Sequence, residues 1–448
     1  MPKKPPSPAR CAALFVLDKV LTEERILLEV LPALEEQCRD ARDLALAREI
    51  VSGTCRWLGR IRHVLRYAAK NFDGLPDAVK RILELSVYQL FFLDRAPAYA
   101  VLSDAVELTR RRRLPALASA VNAILRRLQR EVDVIPYPKR EENLAVHLAA
   151  HHSHPQWLVE RWLDLWGEEE TEAFCRFNNE RAPLSLRLRG NETAALEKLR
   201  SLEIVFERDE RFPNRIQIAP DQHLKPDALQ CEEWAVQDGA AMLVPMLLAP
   251  KAGWKIWDVC AAPGGKTFFL ADMMGNQGEI AASDRSELRL DLLRDQQKRF
   301  SLSCIKPLLL DVLRGDPPAG FGDFDAILLD APCTGWGAFR RHPDLRWRLR
   351  PEEEKHSAEQ AQRMLGKVHP YLKPGGVLVY STCTLSPEEN EKTVERFLNR
   401  HPSYEIEPAA PFLPEALCET TAVEGWMRLV PQRWNLDGAF AARLRKKE

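Results

Sequence analysis

The sequence predicts an α/β protein whose C-terminal part is a doubly wound parallel sheet and whose N-terminal region is entirely helical. Three observations lead to this prediction. From Gly253 onward, apolar strands that end in an acidic or polar residue alternate with helices, which is typical of a parallel sheet covered by helices. Residues 9–130 carry apolar residues at three- and four-residue spacing, as amphipathic helices do. Residues 144–250 mix the two patterns.

The length and composition are those of a globular protein with two or three domains. The chain has 448 residues, of which 45% are hydrophobic and 29% are charged. No apolar run is long enough to span a membrane, and the first residues lack the apolar core of a signal peptide. We therefore expect a cytoplasmic protein with no membrane partner, and a monomer.

Ten cysteines are spread singly along the chain, without a C-x-x-C pair. This spacing argues against a zinc ribbon and, in a reducing compartment, against a disulfide framework. We expect no bound metal. Each cysteine is then either a small buried apolar residue or a reactive thiol.

The net charge of −1 hides an asymmetry between the two parts of the chain. Residues 1–140 contain 25 Lys and Arg against 17 Asp and Glu, whereas residues 141–448 contain 39 against 48. A basic domain joined to an acidic one suggests a polyanionic partner for the first. A solvated basic surface without a partner is the alternative.

Helices account for the first predicted domain, residues 1–140. The apolar pattern predicts one helix from about Ala12 and four more over 44–65, 79–93, 98–113 and 117–128. Residues 131–143 contain Pro136 and Pro138 and are predicted to be a linker.

Residues 141–250 are predicted to hold this linker and a small α/β subdomain. Pro155 suits the first turn of a helix, and residues 184–189 alternate as a strand does. A helix over 193–202, a strand over 215–218 and a helix over 238–248 complete it.

The third predicted domain, residues 251–448, places polar side chains at one edge of its sheet. The five predicted strands end at Asp258, Asp284, Asp311, Asp330 and Cys383. Ligands of such sheets bind beyond the carboxyl ends of the strands, so these five side chains should share one edge. A helix is predicted over 352–371, and residues 386–389 (Ser-Pro-Glu-Glu) are predicted to cap another.

The first strand leads into a candidate cofactor loop. Asp258 ends the strand, a turn with Gly264 and Gly265 follows, and a helix begins near Thr267. Backbone N–H groups at a helix start suit a carboxylate or a phosphate. The spacing is not that of a Walker A loop, because position 260 is Cys, and there is no G-x-G-x-x-G. An ordinary strand-to-helix turn is the alternative.

The acids at the following strand ends indicate which ligand this loop would hold. Asp284 can accept both hydroxyls of a ribose, and Asp311 can accept from an adenine amino group. Lys266 or the loop amides can hold a carboxylate. A ligand with a carboxylate at one end and an adenosine at the other fits this set, and S-adenosylmethionine (SAM) is such a ligand.

Two thiols lie near a carboxylate at the same edge, because Cys333 follows Asp330 by three residues and Cys383 ends the next strand. This set suits covalent catalysis on a pyrimidine. A thiolate that adds to carbon 6 of cytosine makes carbon 5 nucleophilic, and a carboxyl group at N3 stabilises the adduct. Buried, unreactive cysteines are the alternative.

Three segments closely resemble the Nop/Sun family of RNA (cytosine-5) methyltransferases, and the helical N-terminus resembles the NusB-like RNA-binding domain of its bacterial RsmB branch. The segments cover residues 258–267, residues 330–335 with 340–347, and residues 380–391. Residues 89–90, 97–101 and 121–126 carry the NusB-like resemblance. The resemblance implies a Rossmann-like class I SAM-dependent methyltransferase domain that modifies carbon 5 of a cytosine in small-subunit (16S) ribosomal RNA.

The resemblance also implies roles for individual residues. Cys383 would be the nucleophile, Cys333 would assist product release, and Asp330 would contact the cytosine. Asp284 would bind the ribose of SAM and Asp311 the adenine side. Asp330 would also belong to the SAM site. The methionine part of SAM would lie against the residues of the loop: Cys260, Ala261, Ala262, Pro263, Gly264, Gly265 and Lys266.

Some positions depart from the family pattern, namely Arg189, Ala240 and Ala439. Trp336 and Trp347 are expected to pack in the protein, with stacking on a base as the alternative. The arginines of residues 340–350 would either grip phosphates or form a solvated loop. The same reaction on transfer RNA, and a non-catalytic RNA-binding assembly factor, remain alternative functions.

Overall fold

The computed structural model describes residues 5–219, 222, 224, 226–421 and 423–448. Nineteen α-helices are present in this described part: α1 Pro8–Leu21, α2 Leu27–Val30, α3 Ala33–Gln37, α4 Ala41–Ala68, α5 Asp77–Phe92, α6 Ala98–Arg111, α7 Ala118–Glu131, α8 Leu144–His152, α9 Gln156–Phe177, α10 Glu192–Ser201, α11 Pro226–Leu229, α12 Gly239–Leu248, α13 Gly265–Met273, α14 Glu287–Arg299, α15 Leu345–Arg348, α16 Glu353–Val368, α17 Glu391–Arg400, α18 Glu415–Thr421 and α19 Pro431–Trp434. The strands are β1 Ser185–Leu188, β2 Phe206–Arg208, β3 Arg215–Ile218, β4 Trp234–Val236, β5 Lys255–Asp258, β6 Glu279–Asp284, β7 Ile305–Leu309, β8 Phe324–Asp330, β9 Leu372–Thr382, β10 Tyr404–Glu407, β11 Met427–Leu429 and β12 Ala439–Lys446.

The chain forms two compact units, and one of them is discontinuous in sequence. The first comprises Met1–Glu180 and Phe339–Pro351, and the second comprises Arg181–Ala338 and Glu352–Glu448. Among the described residues, no helix is both long and apolar enough to cross a membrane.

The first unit is helical, as the apolar spacing predicted. The five predicted helices correspond to α1, α4, α5, α6 and α7, whose apolar faces form one core. Helix α4 begins after Asp40, whose side chain accepts hydrogen bonds from the N–H groups of Arg42 and Asp43. Helices α2, α3 and α8 were not predicted, because segments of four to nine residues are too short to establish a helical period.

A segment distant in sequence, Phe339–Pro351, belongs to this helical unit, and it corrects the expectation for its arginines. Arg346 is fully buried. Its guanidinium donates to the carbonyls of Ser153 and Asn178 at 3.1 and 3.0 Å and to the Asn179 side chain at 2.9 Å. Arg346 therefore neither grips phosphate nor lies in a solvated loop.

Trp347 also packs in the helical unit, as expected. Its indole N–H donates to the Cys55 carbonyl of α4 at 2.6 Å. In the second unit Trp336 is fully buried, so neither tryptophan is free to stack on a base as it stands.

The second unit opens with a four-stranded antiparallel sheet in the order β2-β3-β1-β4. Strands β1 and β3 and helices α10 and α12 were predicted, whereas the three-residue strands β2 and β4 were not. Arg187 and Arg189 on and after β1 both bind the Asp272 carboxylate of α13, at 2.7 and 2.8 Å. Arg189, one of the positions that depart from the family pattern, therefore forms an ion pair within this unit.

The larger sheet confirms the predicted parallel strands and adds antiparallel ones. Its order is β10-β12-β9-β8-β5-β6-β7, and β11 pairs with β12. Strands β5 to β9 are parallel to one another, whereas β12 runs antiparallel to β9. Ala439 lies in β12 opposite Leu429, and Ala240 is buried in the first turn of α12.

Three predicted boundaries were wrong. Strand β7 ends at Leu309, two residues before Asp311, and β9 ends at Thr382, one residue before Cys383. Residues 387–390 form a turn, and α17 begins at Glu391 instead of Pro387. The Ser386 hydroxyl accepts from the Glu389 N–H at 3.3 Å, as a capping serine would, but the Glu389 carboxyl binds elsewhere.

Candidate functional site

The candidate cofactor loop connects β5 to α13 and turns sharply at Gly264. Gly264 has φ 111°, a conformation that favours glycine, and a Cβ there would lie 2.3 Å from the Phe268 ring. Helix α13 begins at Gly265, the residue directly after this turn. On its other side the loop is tied to β6, because the Ala261 N–H donates to the Ser283 carbonyl at 2.8 Å.

Asp258, at the end of β5, supports this loop from beneath. Its side chain is buried and accepts a hydrogen bond from the Thr267 hydroxyl at 2.7 Å. Burial raises the pKa of Asp258 to about 7, although the Thr267 bond opposes the rise.

We expect this titration to make the stability of the protein depend on pH. In the folded chain Asp258 keeps its proton up to about pH 7, whereas an ordinary carboxyl with a pKa of 3.8 releases it earlier. Folding then takes up a proton between these values, so the free energy of unfolding falls as pH rises through this window.

Asp258→Asn keeps an acceptor for Thr267 and removes the titration. Urea unfolding from pH 4 to 8 should show the variant gaining stability relative to wild type, by on the order of 4 kcal/mol at most. A constant difference would contradict the raised pKa.

A cavity of about 430 Å³ lies beside the loop at the carboxyl ends of the strands. Three of the predicted cofactor residues line it, namely Cys260, Asp284 and Asp311. Asp284 is buried and accepts from the N–H groups of Ala262 and Ser286 at 3.3 and 3.0 Å. The cavity therefore has a fixed carboxylate in its wall.

The remaining wall combines a second carboxylate, an uncharged thiol, apolar side chains and charged ones. The Asp311 carboxylate accepts from the Leu313 N–H at 3.0 Å and is partly exposed. Burial raises the pKa of Cys260, so this thiol stays protonated and contributes an uncharged surface. Apolar side chains form part of the lining: Val259, Leu310, Val312, Leu313 and Met364. Polar and charged side chains form most of the rest: Arg285, Arg289, Arg314, His356, Glu359, Gln360 and Arg363. Carboxylates with apolar neighbours suit ribose hydroxyls, an adenine and a sulfonium cation.

Lys266 points to a carboxylate of the protein. Its ammonium lies 2.6 Å from Asp330, at the end of β8. Asp330 also accepts from the Ser381 hydroxyl of the neighbouring strand β9 at 2.7 Å. Burial by itself would lower the pKa of Lys266, but the Asp330 carboxylate outweighs it and the net shift is upward. Lys266 is thus a cation held beside Asp330, which the sequence pattern alone did not indicate.

The two predicted catalytic thiols lie together at the same edge. The Sγ atoms of Cys333 and Cys383 are 3.3 Å apart, and Cys383 is exposed. A hydrogen bond with Cys383, together with burial, raises the pKa of the Cys333 thiol well above its ordinary value. Adjacent parallel strands account for the contact, because β8 and β9 both end here.

Sequence reasoning missed the polar residues that hold this edge together. Ser381 was passed over because a serine within a strand has no distinctive pattern. Glu389 was interpreted as a helix cap, yet its carboxyl is buried against Thr334. The weak indication in the sequence was that Thr334 and Thr384 each follow one of the two cysteines.

Three family profiles match this chain in succession. The NusB family matches residues 7–130, and the RsmF/B-like ferredoxin-like domain matches residues 154–223. The 16S rRNA methyltransferase RsmB/F profile matches residues 245–445, which contain the loop, the cavity and both thiols.

Curated relatives and solved structures agree with these profiles. The probable ribosomal RNA small subunit methyltransferase B of Synechocystis sp. is 36% identical, over 83% of this chain and 84% of its own. The protein of the same name from Bacillus subtilis is 32% identical over 90% of both chains. The crystal structure of PH0851 covers 99% of both chains at 28% identity with a TM-score of 0.83. A methyltransferase homolog from Pyrococcus horikoshii is 28% identical with a TM-score of 0.57 and covers 68% of this chain and 99% of its own. The chain therefore belongs to the RsmB/F family of SAM-dependent 16S rRNA methyltransferases.

Proposed function

We propose that this protein methylates carbon 5 of a cytosine in small-subunit (16S) ribosomal RNA through a covalent adduct with Cys383. The observation that carries the proposal is the 3.3 Å contact between the thiols of Cys333 and Cys383, beside the Asp330 carboxylate. A methyltransferase that acts on an oxygen or an exocyclic nitrogen needs no thiol. Addition to a pyrimidine ring requires a nucleophile, which one of the two thiols at the carboxyl edge supplies, and the second thiol is placed to assist the subsequent release.

The residues around the cavity would hold SAM. Asp284 accepts from the ribose hydroxyls, and Asp311 lies on the adenine side. The loop from Cys260 to Lys266 borders the methionine part, with the N–H groups at the start of α13 available to its carboxylate. When bound, SAM would supply an electrophilic methyl group and leave as the thioether S-adenosylhomocysteine.

Cys383 begins the reaction once it has lost its proton. Its Sγ forms a bond to carbon 6 of the cytosine, and the C5–C6 double bond supplies the electron pair with which carbon 5 takes the methyl group. A base then removes the carbon 5 proton. The electron pair left behind restores the double bond and expels Cys383 as a thiolate, which Cys333 assists from 3.3 Å.

Asp330 binds the N3 edge of the cytosine in this scheme. The ring develops negative charge there when the thiolate adds to carbon 6. The Lys266 ammonium 2.6 Å from Asp330 makes the site more positive and thereby stabilises that charge. The target cytosine must be unstacked, because a thiol does not reach carbon 6 inside a helix.

The helical region supplies RNA binding in this proposal. Its excess of basic residues, 25 against 17 over residues 1–140, suits phosphate contacts. We also propose that the functional domains are residues 1–140, 141–250 and 251–448. The protein acts as a monomer in the cytoplasm in this proposal.

Methylation with labelled SAM tests the reaction. Wild-type protein is incubated with 16S rRNA, naked or in the small subunit, and in parallel with transfer RNA, and 5-methylcytosine is mapped by bisulfite sequencing. We expect modification of 16S rRNA, and no label without protein. Modification of transfer RNA alone would mean that transfer RNA, and not 16S rRNA, is the substrate. Label on ribose or on an exocyclic nitrogen would contradict the proposed reaction.

A further inference from the structure

The residues that follow the two catalytic thiols meet inside the second unit. Thr334 comes directly after Cys333, and Thr384 directly after Cys383. Their hydroxyl oxygens are 2.9 Å apart, and both side chains are buried. The contact joins the two cysteine-bearing segments at the positions nearest to the thiols.

Glu389 fixes the Cys333 side of this contact. Its carboxyl accepts the N–H of Thr334 at 2.9 Å and also the Thr334 hydroxyl. The Glu389 backbone is held as well, because its carbonyl accepts the Tyr380 hydroxyl at 2.5 Å and its N–H donates to Ser386 at 3.3 Å. At 1% exposure, this carboxyl has little freedom to move.

Asn390, the next residue, fixes the Cys383 side. Its side-chain oxygen accepts the Thr382 hydroxyl at 2.6 Å, and its amide donates to the Thr384 carbonyl at 3.0 Å. These partners flank Cys383 on both sides. Two consecutive residues thus hold both cysteine segments.

The protonation state of Glu389 agrees with a structural task for its carboxyl. Burial raises the pKa of Glu389 to about 8, although hydrogen bonds from Thr334 oppose the rise. At neutral pH the carboxyl is then mostly uncharged, and a glutamine can reproduce its shape and its charge.

We propose that Glu389 is a positioning residue that, through Thr334, fixes the separation of the Cys333 thiol from the Cys383 thiol. The proposal deepens the function proposed above and rests on it, because a fixed separation serves the release of the adduct from Cys383 with the help of Cys333. Glu389 acts through Thr334 and does not itself touch the RNA.

A measurement of thiol pairing tests the separation without RNA. Diamide oxidises two thiols to a disulfide, and its azo bond takes up the two electrons and two protons. The rate at which the Cys333–Cys383 disulfide forms, followed by peptide mass spectrometry, reports how often the two thiols meet. We expect Glu389→Leu to lower this rate at least about fivefold, and Glu389→Gln to stay within about twofold of wild type, because its amide can pair with both groups of Thr334.

A second measurement follows the adduct during methylation of 16S rRNA. In Glu389→Leu the covalent protein–RNA complex, seen on a denaturing gel, should persist several times longer than in wild type. The single-turnover methyl transfer that precedes release should change less. Thr334→Val removes the two contacts of the hydroxyl, with Glu389 and with Thr384, and keeps the N–H bond to Glu389. It should show the same pattern more weakly, which keeps the test decisive if Glu389→Leu fails to fold.

The matched control is Glu388→Gln, in the adjacent residue. Glu388 forms ion pairs with Lys392 and Arg396, so its loss should leave thiol pairing unchanged. Equal disulfide rates in Glu389→Leu, Glu388→Gln and wild type would overturn the proposal. If wild type methylates no RNA while Glu389→Leu still slows thiol pairing, the proposed reaction fails and the positioning role stands.

Discussion

Replacing Cys383 by serine is expected to abolish methyl transfer, with kcat reduced by about a thousandfold or more. Serine has nearly the same size as cysteine, but its hydroxyl is far less acidic and is not a nucleophile at neutral pH without a base. Tritium transfer from labelled SAM to 16S rRNA measures the effect. SAM binding, followed by calorimetry, should be unchanged, because Cys383 is not among the residues that line the cavity.

Cys333→Ser should behave differently, and the difference distinguishes the two thiols. Cys383 can still add to carbon 6, but release is impaired, so a protein–RNA complex that survives denaturation should accumulate. Cys231→Ser, in a half-buried cysteine after α11, is the matched control and should keep full activity. If Cys383→Ser remained active while Cys333→Ser was inactive and trapped no RNA, the two roles would have to be exchanged.

The positions of these thiols could be predicted because each lies within three residues of a strand end. Parallel strands present their carboxyl ends at one edge, and a strand that ends in Asp or Cys is readable as an apolar run with a polar last residue. Asp258, Asp284 and Asp330 were placed at that edge in this way, and the structure has each of them as the last residue of a strand.

Long-range polar partners could not be predicted. The ion pair of Lys266 with Asp330 and the contact of Glu389 with Thr334 join residues 64 and 55 positions apart in sequence. A sequence pattern reveals local periods, whereas such pairs depend on side-chain direction in the folded chain. The antiparallel strand β12 was missed for a related reason, because its residues are buried almost throughout and show no alternation.

Arg346 is the clearest case, since a charged residue in an arginine-rich stretch proved to be fully buried. Its guanidinium donates to the carbonyls of Ser153 and Asn178, the C-cap residues that directly follow α8 and α9. Carbonyls at helix C-termini have no partner within their own helix and carry partial negative charge. Arg346 therefore donates hydrogen bonds to the C-terminal carbonyls of two helices with one side chain. Burial lowers the pKa of Arg346 to about 9, which leaves the group charged at neutral pH.

Arg346→Met is accordingly expected to destabilise the helical unit by about 3 kcal/mol, because it leaves buried carbonyls without donors while preserving most of the volume. Urea unfolding followed by hydrogen exchange should show the loss of protection in α8, α9 and residues 339–351. The matched control is Arg350→Met in the same segment, whose exposed ion pair with Glu24 at 3.2 Å should contribute little. Equal unfolding midpoints for the two variants would mean that water replaces the guanidinium at the helix ends, and that the segment is held mainly by apolar packing and the Trp347 bond to Cys55.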